Sequence, residues 1–228
     1  MFSNITATSG INFRHKENEF IDFKDKVLLP YQLSKQDPAL VKGNVNGDGL
    51  EDVFIGRAVG QSGALYLQTA DDKFILATSQ PWANDAASED VKGVFFDVDN
   101  DGDLDLYIVS RGNEYADGFP EYGDRLYVND GKGNFTKSIG ALSEMLSNKQ
   151  VIAVGDFDND GDLDLFVGGW GQPGSYPLSS SSYLLRNDTK NGVLHFTDVT
   201  KEVCPSLQNL EWLPWLNGWI LITTIILN

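Results

Sequence analysis

Asp156-Phe157-Asp158-Asn159-Asp160-Gly161-Asp162-Leu163-Asp164 places five carboxylates in nine residues, at positions 1, 3, 5, 7 and 9 of the stretch. Like charges a few ångströms apart repel one another. A hard cation removes that conflict. Calcium takes about six to eight oxygen ligands in irregular geometry, which suits a short acidic loop. Gly161 at position 6 permits the sharp bend that turns alternate side chains onto one ion.

The phrase recurs as Asp97-Val98-Asp99-Asn100-Asp101-Gly102-Asp103-Leu104-Asp105. A weaker copy reads Asn44-Val45-Asn46-Gly47-Asp48-Gly49-Leu50-Glu51-Asp52. The three begin at 44, 97 and 156, spacings of 53 and 59 residues, which is the mark of a repeat architecture. An EF-hand is the rival reading. It needs a Glu at loop position 12 and flanking helices, but position 12 is Ile108 or Val167. The flanks, Val94-Phe95-Phe96 and Leu106-Tyr107-Ile108-Val109, are β-branched and aromatic runs of strand type. The ion is therefore expected in a hairpin turn. The side chains at positions 1, 3, 5 and 9 and the carbonyl at position 7 would hold it. In the first copy, Asn44 and Asn46 supply neutral oxygens beside Asp48, the Leu50 carbonyl and Asp52, so that site is expected to be weaker.

The 228 residues carry a formal net charge of −16, and ten of the 33 acidic residues lie in the two complete loops. This balance argues against nucleic acid or an anionic membrane surface as partner. Cys204 stands alone, so there is no disulfide framework. His15 and His195 have no zinc-type spacing. Met1-Phe2-Ser3-Asn4 lacks the basic start and apolar run of a secretory signal. Calcium loops of modest affinity fill best outside the cytoplasm. The expectation is an extracellular, cell-surface or periplasmic protein whose natural amino terminus lies upstream.

Each repeat follows one script: strand, acidic loop, second strand, variable loop, third strand, turn, fourth strand. The second strands read Val53-Phe54-Ile55, Leu106–Val109 and Leu165-Phe166-Val167. The third strands read Ala64–Gln68, Arg125–Val128 and Tyr183–Arg186, and the fourth begin at Phe74, Phe135 and Phe196. Asn129-Asp130-Gly131-Lys132-Gly133-Asn134 is a strong hairpin turn. Four strands in 40–60 residues predict propeller blades at about 43–83, 91–140 and 150–200, within a repeat region of 43–210. Residues 84–90 and 141–150 are helix-tolerant connectors. Residues 1–42 form a wrapping segment, with a short strand expected at Ile11-Asn12-Phe13 and irregular chain at Pro30 and Pro38.

The D-x-D-x-D-G-x-x-D-L loops, Gly43 and Gly155 before them, and the L-Y-x-N-D-G-x-G-x-F-T phrase at 126–136 resemble FG-GAP/VCBS repeats. These build the calcium-binding β-propeller that also heads integrin α chains. The opening stretch, from Ser9-Gly10-Ile11 to Leu29-Pro30, resembles the start of large bacterial surface proteins of this class. The resemblance covers about residues 40–200 and implies an all-β fold. It places metal positions at Asp97, Asp99, Asp101, Asp103 and Asp105, and at Asp156, Asp158, Asp160, Asp162 and Asp164. Family rings have about seven blades, so a chain with three implies an incomplete ring and further blades in a parent protein.

Residues 212–228 break the script. Readings as a buried strand or a membrane anchor compete, but the apolar run after Trp219 is about half the ~20 residues that span a bilayer. No membrane insertion is expected. A one-base frame shift after Glu211 ranks first, because back-translation then permits W-x-D-x-D-N-D about one repeat after Asp156.

Consecutive hairpins alternate between the two faces of a propeller. The acidic loops and the Asn129–Asn134 turn share one face. The loops at 57–63, 111–124 and 168–182, with Tyr115, Phe119, Tyr122, Trp170 and Tyr176, share the other. Binding usually lives in such loops on a rigid scaffold. The favoured function is a calcium-stabilised binding or adhesion module for a protein or glycan. The alternative is the propeller part of a polysaccharide-degrading enzyme. That requires separated carboxylates, for which Glu114, Asp117, Glu121 and Asp124 are the candidates. No G-x-S-x-G, H-E-x-x-H or phosphate loop is present. Sequencing the DNA past codon 211 tests the frame shift: an acidic loop in one shifted frame is expected, and its absence from both removes the idea.

Overall fold

The computed structural model describes residues 4–25, 29, 32, 34–35, 38–175 and 178–209. Pro30, Tyr176 and the 212–228 tail lie outside the described residues. The described chain is all-β, with three four-stranded antiparallel sheets, each built from consecutive strands. Blade 1 contains β1 (Leu40–Gly43), β2 (Asp52–Ile55), β3 (Ala64–Gln68) and β4 (Phe74–Ala77). Blade 2 contains β5 (Asp90–Phe96), β6 (Asp105–Ser110), β7 (Arg125–Val128) and β8 (Thr136–Lys137). Blade 3 contains β9 (Lys149–Gly155), β10 (Asp164–Gly169), β11 (Tyr183–Asn187) and β12 (Phe196–Asp198).

The register of the first hairpin is the same in every blade. Gly43 faces Asp52, Phe96 faces Asp105, and Gly155 faces Asp164. Each acidic loop therefore closes over an identical length. The left-handed backbone positions also coincide: Gly47 and Gly49, Asn100 and Gly102, Asn159 and Gly161 stand at positions 4 and 6. Glycine and asparagine tolerate that conformation, which is why the N-D-G step recurs.

A buried carboxylate fixes each register. Asp105 accepts the Val98 N–H through Oδ2 at 3.0 Å and the Asn129 N–H through Oδ1 at 2.8 Å. Asp52 does the same with Val45 and Gln68, and Asp164 with Phe157 and Asn187. Position 9 thus ties the second residue of its own loop to the end of the third strand. Asn129 carries the tie onward. Its Nδ2 donates to the Leu104 carbonyl and, across the junction, to the Val45 carbonyl of blade 1. Asn187 repeats this toward Leu163 and Val98.

The inner strands β1, β5 and β9 lie side by side. At Gly93 a Cβ would stand 2.8 Å from Ile108 Cδ1 and 2.9 Å from Val41 Cγ2, so a side chain there would push the first two blades apart. Apolar faces fill the junctions. Val41, Phe54 and Leu65 of blade 1 meet Leu106, Ile108 and Tyr127 of blade 2. Trp82, from the 3₁₀ turn Pro81–Asp85 in the connector, is buried between them. It makes edge contacts with Phe54 (5.1 Å) and Tyr127 (5.6 Å). Tyr107, Val109 and Leu126 meet Leu165, Val167 and Leu185 at the next junction.

Charge is buried beside each apolar junction, with opposite sign. Asp90, the first residue of β5, pairs with Arg125 at 2.7 Å and with Arg57 at 3.5 Å. The first residue of β9 is instead Lys149, 3.4 Å from Asp124. Lys149 also donates to the carbonyls of Tyr122, Met145 and Ser147, while Tyr107 donates to Asp124 at 2.7 Å. Burial pushes Asp124 up and Lys149 down, toward the neutral forms, and their mutual attraction opposes this.

Several sequence expectations need correction. Ile11–Phe13 forms no strand, because the segment bonds the edge strand β4 at one point, Phe74 N–H to the Ser9 carbonyl, before that stretch begins. The fourth strand of blade 2 begins at Thr136; Phe135 is drawn into the junction with Trp82 (5.5 Å). Of the two helix-tolerant connectors, 84–90 holds only the end of a 3₁₀ turn that starts earlier, at Pro81, and 141–150 forms no helix. Trp82→Ala should lower the unfolding free energy by about 3–5 kcal/mol in a urea titration, because it empties the centre of the first junction.

Candidate metal centre

The acidic loops start as strands whose last residue is paired and end on the buried pin at position 9. Between those fixed points the chain folds back on itself. In the second loop the Asp97 carboxylate accepts the N–H groups of Asp101 (3.2 Å) and Gly102 (3.0 Å). Asp101 Oδ1 accepts the Asp103 N–H at 3.0 Å. The third loop repeats these bonds: Asp156 with Asp160 and Gly161, and Asp160 with Asp162. Such aspartate turns curl the backbone without help from another segment.

The curl brings three carboxylates together. One oxygen each from Asp97, Asp99 and Asp105 lie within 4.8 Å of one another, and so do oxygens from Asp156, Asp158 and Asp164. Positions 1, 3 and 9 thus converge, three of the four side-chain positions that the sequence pattern names. Positions 5 and 7 stand outside these groups. Asp101 and Asp160 each spend an oxygen on a turn bond. Asp162 Oδ1 accepts from Asn100 Nδ2 at 2.6 Å, so the second and third loops touch. Asp103 reaches toward the neighbouring turn, its Oδ2 lying 3.2 Å from where a Cβ at Gly131 would stand.

The first loop keeps the backbone but not the carboxylate group. Asp52 is the buried pin. Asp48 accepts the Leu50 N–H at 2.8 Å and an Asn46 Nδ2 bond at 3.0 Å. Asn44 Oδ1 is buried with no hydrogen-bond partner among the described residues. The three loops are chemically unequal on one backbone.

Electrostatics mark the loops as sites that want positive charge. Burial, followed by repulsion from Asp101 and Asp97, raises Asp99. Burial and then Asp101, Asp99 and Asp97 push Asp103 to about 6. Asp105 rises to about 7, mainly by burial, although its bonds from Asn129 and Val98 oppose the rise. Asp164 rises to about 6 for the same reason. Asp99 Oδ1 and Asp103 Oδ1 are buried with no hydrogen-bond partner among the described residues. A divalent cation held by the carboxylates at positions 1, 3 and 9 would reverse the rise, so the donor set of aspartate oxygens fits a hard ion such as calcium.

Sequence reasoning missed the tie made by Asn129 and Asn187. Its signal was present: both third strands end in Asn-Asp, whereas the first blade has Gln68-Thr69 there. The four carboxylates weighed as catalytic candidates have separate tasks. Asp124 is buried against Lys149, Asp117 accepts from Gln172 at 3.0 Å, and Glu114 accepts from Asn18 at 2.8 Å. Glu121 Oε2 is buried with no hydrogen-bond partner among the described residues. No helix among the described residues is long and apolar enough to cross a membrane.

No curated protein matches this chain. Among solved structures, similarity is found to a Bifidobacterium bifidum s17 crystal structure described, by assignment only, as an exo-beta-1,3-galactanase. The two share 12% identity with a TM-score of 0.39, over 70% of this chain and 50% of the other. The chain thus spans half the length of that protein, and at this level the likeness carries no argument about activity. The sequence profile of the FG-GAP-like repeat matches residues 44–108 and 97–167, so each match joins one acidic loop to the second strand of the following blade. Those matches cover more than half of the chain, which belongs to the FG-GAP-like repeat family.

Proposed function

We propose that this chain is a calcium-stabilised recognition module that works outside the cytoplasm and binds a protein or carbohydrate ligand. The observation that carries the reading is the convergence of three carboxylates in each of two loops with the same backbone. Calcium would do structural work there. It would bond Asp97, Asp99 and Asp105 in one loop and Asp156, Asp158 and Asp164 in the other, locking the hairpin that joins the first two strands of each blade. Asn44, Asn46, Asp48, the Leu50 carbonyl and Asp52 would form a weaker third site.

The opposite face would meet the ligand. The loop after β6 carries Tyr115 stacked on Phe119 at 5.7 Å, and Phe119 is 45% exposed. The loop after β10 starts at Trp170, whose ring lies under Arg111 at 5.3 Å. An exposed aromatic beside polar loop residues suits a sugar face or a protein side chain. Further blades of a parent protein would complete the ring.

Calcium titration followed by melting temperature tests the reading. At free calcium roughly a hundredfold above Kd, each filled site adds about 2.7 kcal/mol, a rise of about 5–10 °C. Asp97→Ala and Asp156→Ala should each remove part of that gain. Asp164→Ala should also lower the melting temperature in chelator, because it deletes the pin as well as a ligand. No calcium response in the unaltered protein sinks the proposal.

The same carboxylates make the response depend on pH. Without calcium, groups raised to about 7 and about 6 bind protons more tightly in the folded state, so the metal-free protein gains stability as pH falls through that range. With calcium, protons compete for the same oxygens. The calcium-dependent rise in melting temperature should be large near about pH 7.5 and small near about pH 5.

A further inference from the structure

The segment 4–25 makes no strand ladder, yet it is fastened to blades 1 and 2. Phe74 N–H donates to the Ser9 carbonyl at 2.7 Å. Lys16 N–H donates to Gln61 Oε1, and Gln61 Nε2 donates back to the Arg14 carbonyl. Asn18 Nδ2 donates to Glu114 Oε1 at 2.8 Å, and Asn113 Nδ2 to the buried Asp22 Oδ1 at 2.5 Å. Gln61 belongs to the β2–β3 loop, and Asn113 and Glu114 belong to the β6–β7 loop. The segment therefore lies across loops that the proposed function assigns to the ligand.

The same place holds a carboxyl that the rest of the fold leaves unexplained. Glu89 is 3% exposed, and its Oε2 has no hydrogen-bond partner among the described residues. A Cβ at Gly112 would stand 3.4 Å from Glu89 Oε2 and 2.4 Å from Glu114 Oε2, so both carboxyl groups converge on the space that this glycine leaves. Glu17, on the segment, also has a buried Oε2 with no such partner, while His15 holds its Oε1 at 2.5 Å. At the next junction the equivalent position is Asn148, a neutral amide. It donates to the Gly112 and Gly171 carbonyls and accepts from Gly112 N–H. A neutral group is what this position of the fold accommodates.

We propose that the amino-terminal segment is a proton-held strap over the ligand loops of blades 1 and 2, latched where its Asn18 bonds Glu114, whose carboxyl converges with that of Glu89. The regulatory part of this inference rests on the assignment of those loops to ligand binding. Burial keeps Glu89 from acting on a ligand directly, which makes the group a latch and not an acid–base pair.

The charges around Glu89 come from every side. Glu114 and Arg111 follow β6, Asp90 adjoins it in β5, Glu17 and His15 lie on the strap, and Tyr122 lies in the β6–β7 loop. Burial, then Glu114, Glu17 and Asp90, push Glu89 up to about 9 against the pull of Arg111. Asp90 is offset by Arg57 and Arg125. Releasing the strap takes Glu17 away, which lowers the hold of Glu89 on its proton. Docking is then strongest while Glu89 is protonated and weakens as pH rises toward about 9. Above it, the Glu89 and Glu114 carboxylates converge unneutralised, Glu17 adds its repulsion, and the strap lifts.

Trypsin reads the strap directly, because Arg14 and Lys16 are exposed while Gln61 holds the backbone at both residues. Cleavage is measured relative to a free peptide of residues 10–20 in the same tube, at about pH 7 and about pH 9.5. The relative rate should rise at least about tenfold in the unaltered protein and stay flat in Glu89→Gln. Asn18→Ala leaves the buried residues alone and should be cut several-fold faster already at about pH 7. A flat profile in the unaltered protein, an equal rise in Glu89→Gln, or an unchanged rate in Asn18→Ala overturns the latch. Calcium-dependent melting is read in parallel. A calcium response with no latch sinks this inference alone, and a latch with no calcium response sinks the recognition module instead.

Discussion

The structure depends on a single kind of bond: a buried aspartate at position 9 that accepts two backbone N–H groups from different segments. Asp52, Asp105 and Asp164 each make it. A carboxylate bonded this way fixes the loop length and the strand register together. A slip of one residue would turn every side chain of the strand to the wrong face, so the bond also protects the junction cores. The curled loop and its converging carboxylates follow from that constraint. The pin holds one end, the aspartate turns bend the middle, and positions 1 and 3 are brought onto position 9. The convergence of the carboxylates is in this sense a by-product of register.

The pin also explains how blades find one another. The residue that receives its second bond, Asn129 or Asn187, sends its own side chain to the preceding loop. Loop, third strand and neighbouring loop therefore form one hydrogen-bonded chain that runs from blade to blade on the side of the acidic loops. On the other side the blades are joined by buried charge and by the strap. The two faces have different mechanics: one is a repeated lattice of backbone bonds, and the other is a set of individual contacts in loops of unequal length.

The fold was legible because its signals are local and repeated. Three acidic loops, each between β-branched runs, gave the strand order and the blade count without any knowledge of packing. The convergence of Asp97, Asp99 and Asp105 was legible for the same reason, since loop position alone encodes it. What was not legible depended on partners distant in sequence. Phe135 reads as a strand residue, but Trp82, fifty-odd positions away, takes it into a junction. Ile11–Phe13 has strand composition, but the segment's bond to the edge strand β4 is made at Ser9 and does not continue into a ladder. Glu114 and Asp124 look like one acidic cluster in sequence. Only the fold shows that Lys149 claims one and Asn18 the other.

The inner strands of blades 2 and 3 open on residues of opposite charge, Asp90 and Lys149, each buried against a partner of the opposite sign. Exchanging those two blades would set Lys149 beside Arg57, and two enclosed cations with no carboxylate between them cost far more than a surface mismatch. The repeats share a backbone but are not interchangeable parts. Their sequence order is written into the seams, so a chain shuffled by recombination would carry the right blades and still fail to close them against one another.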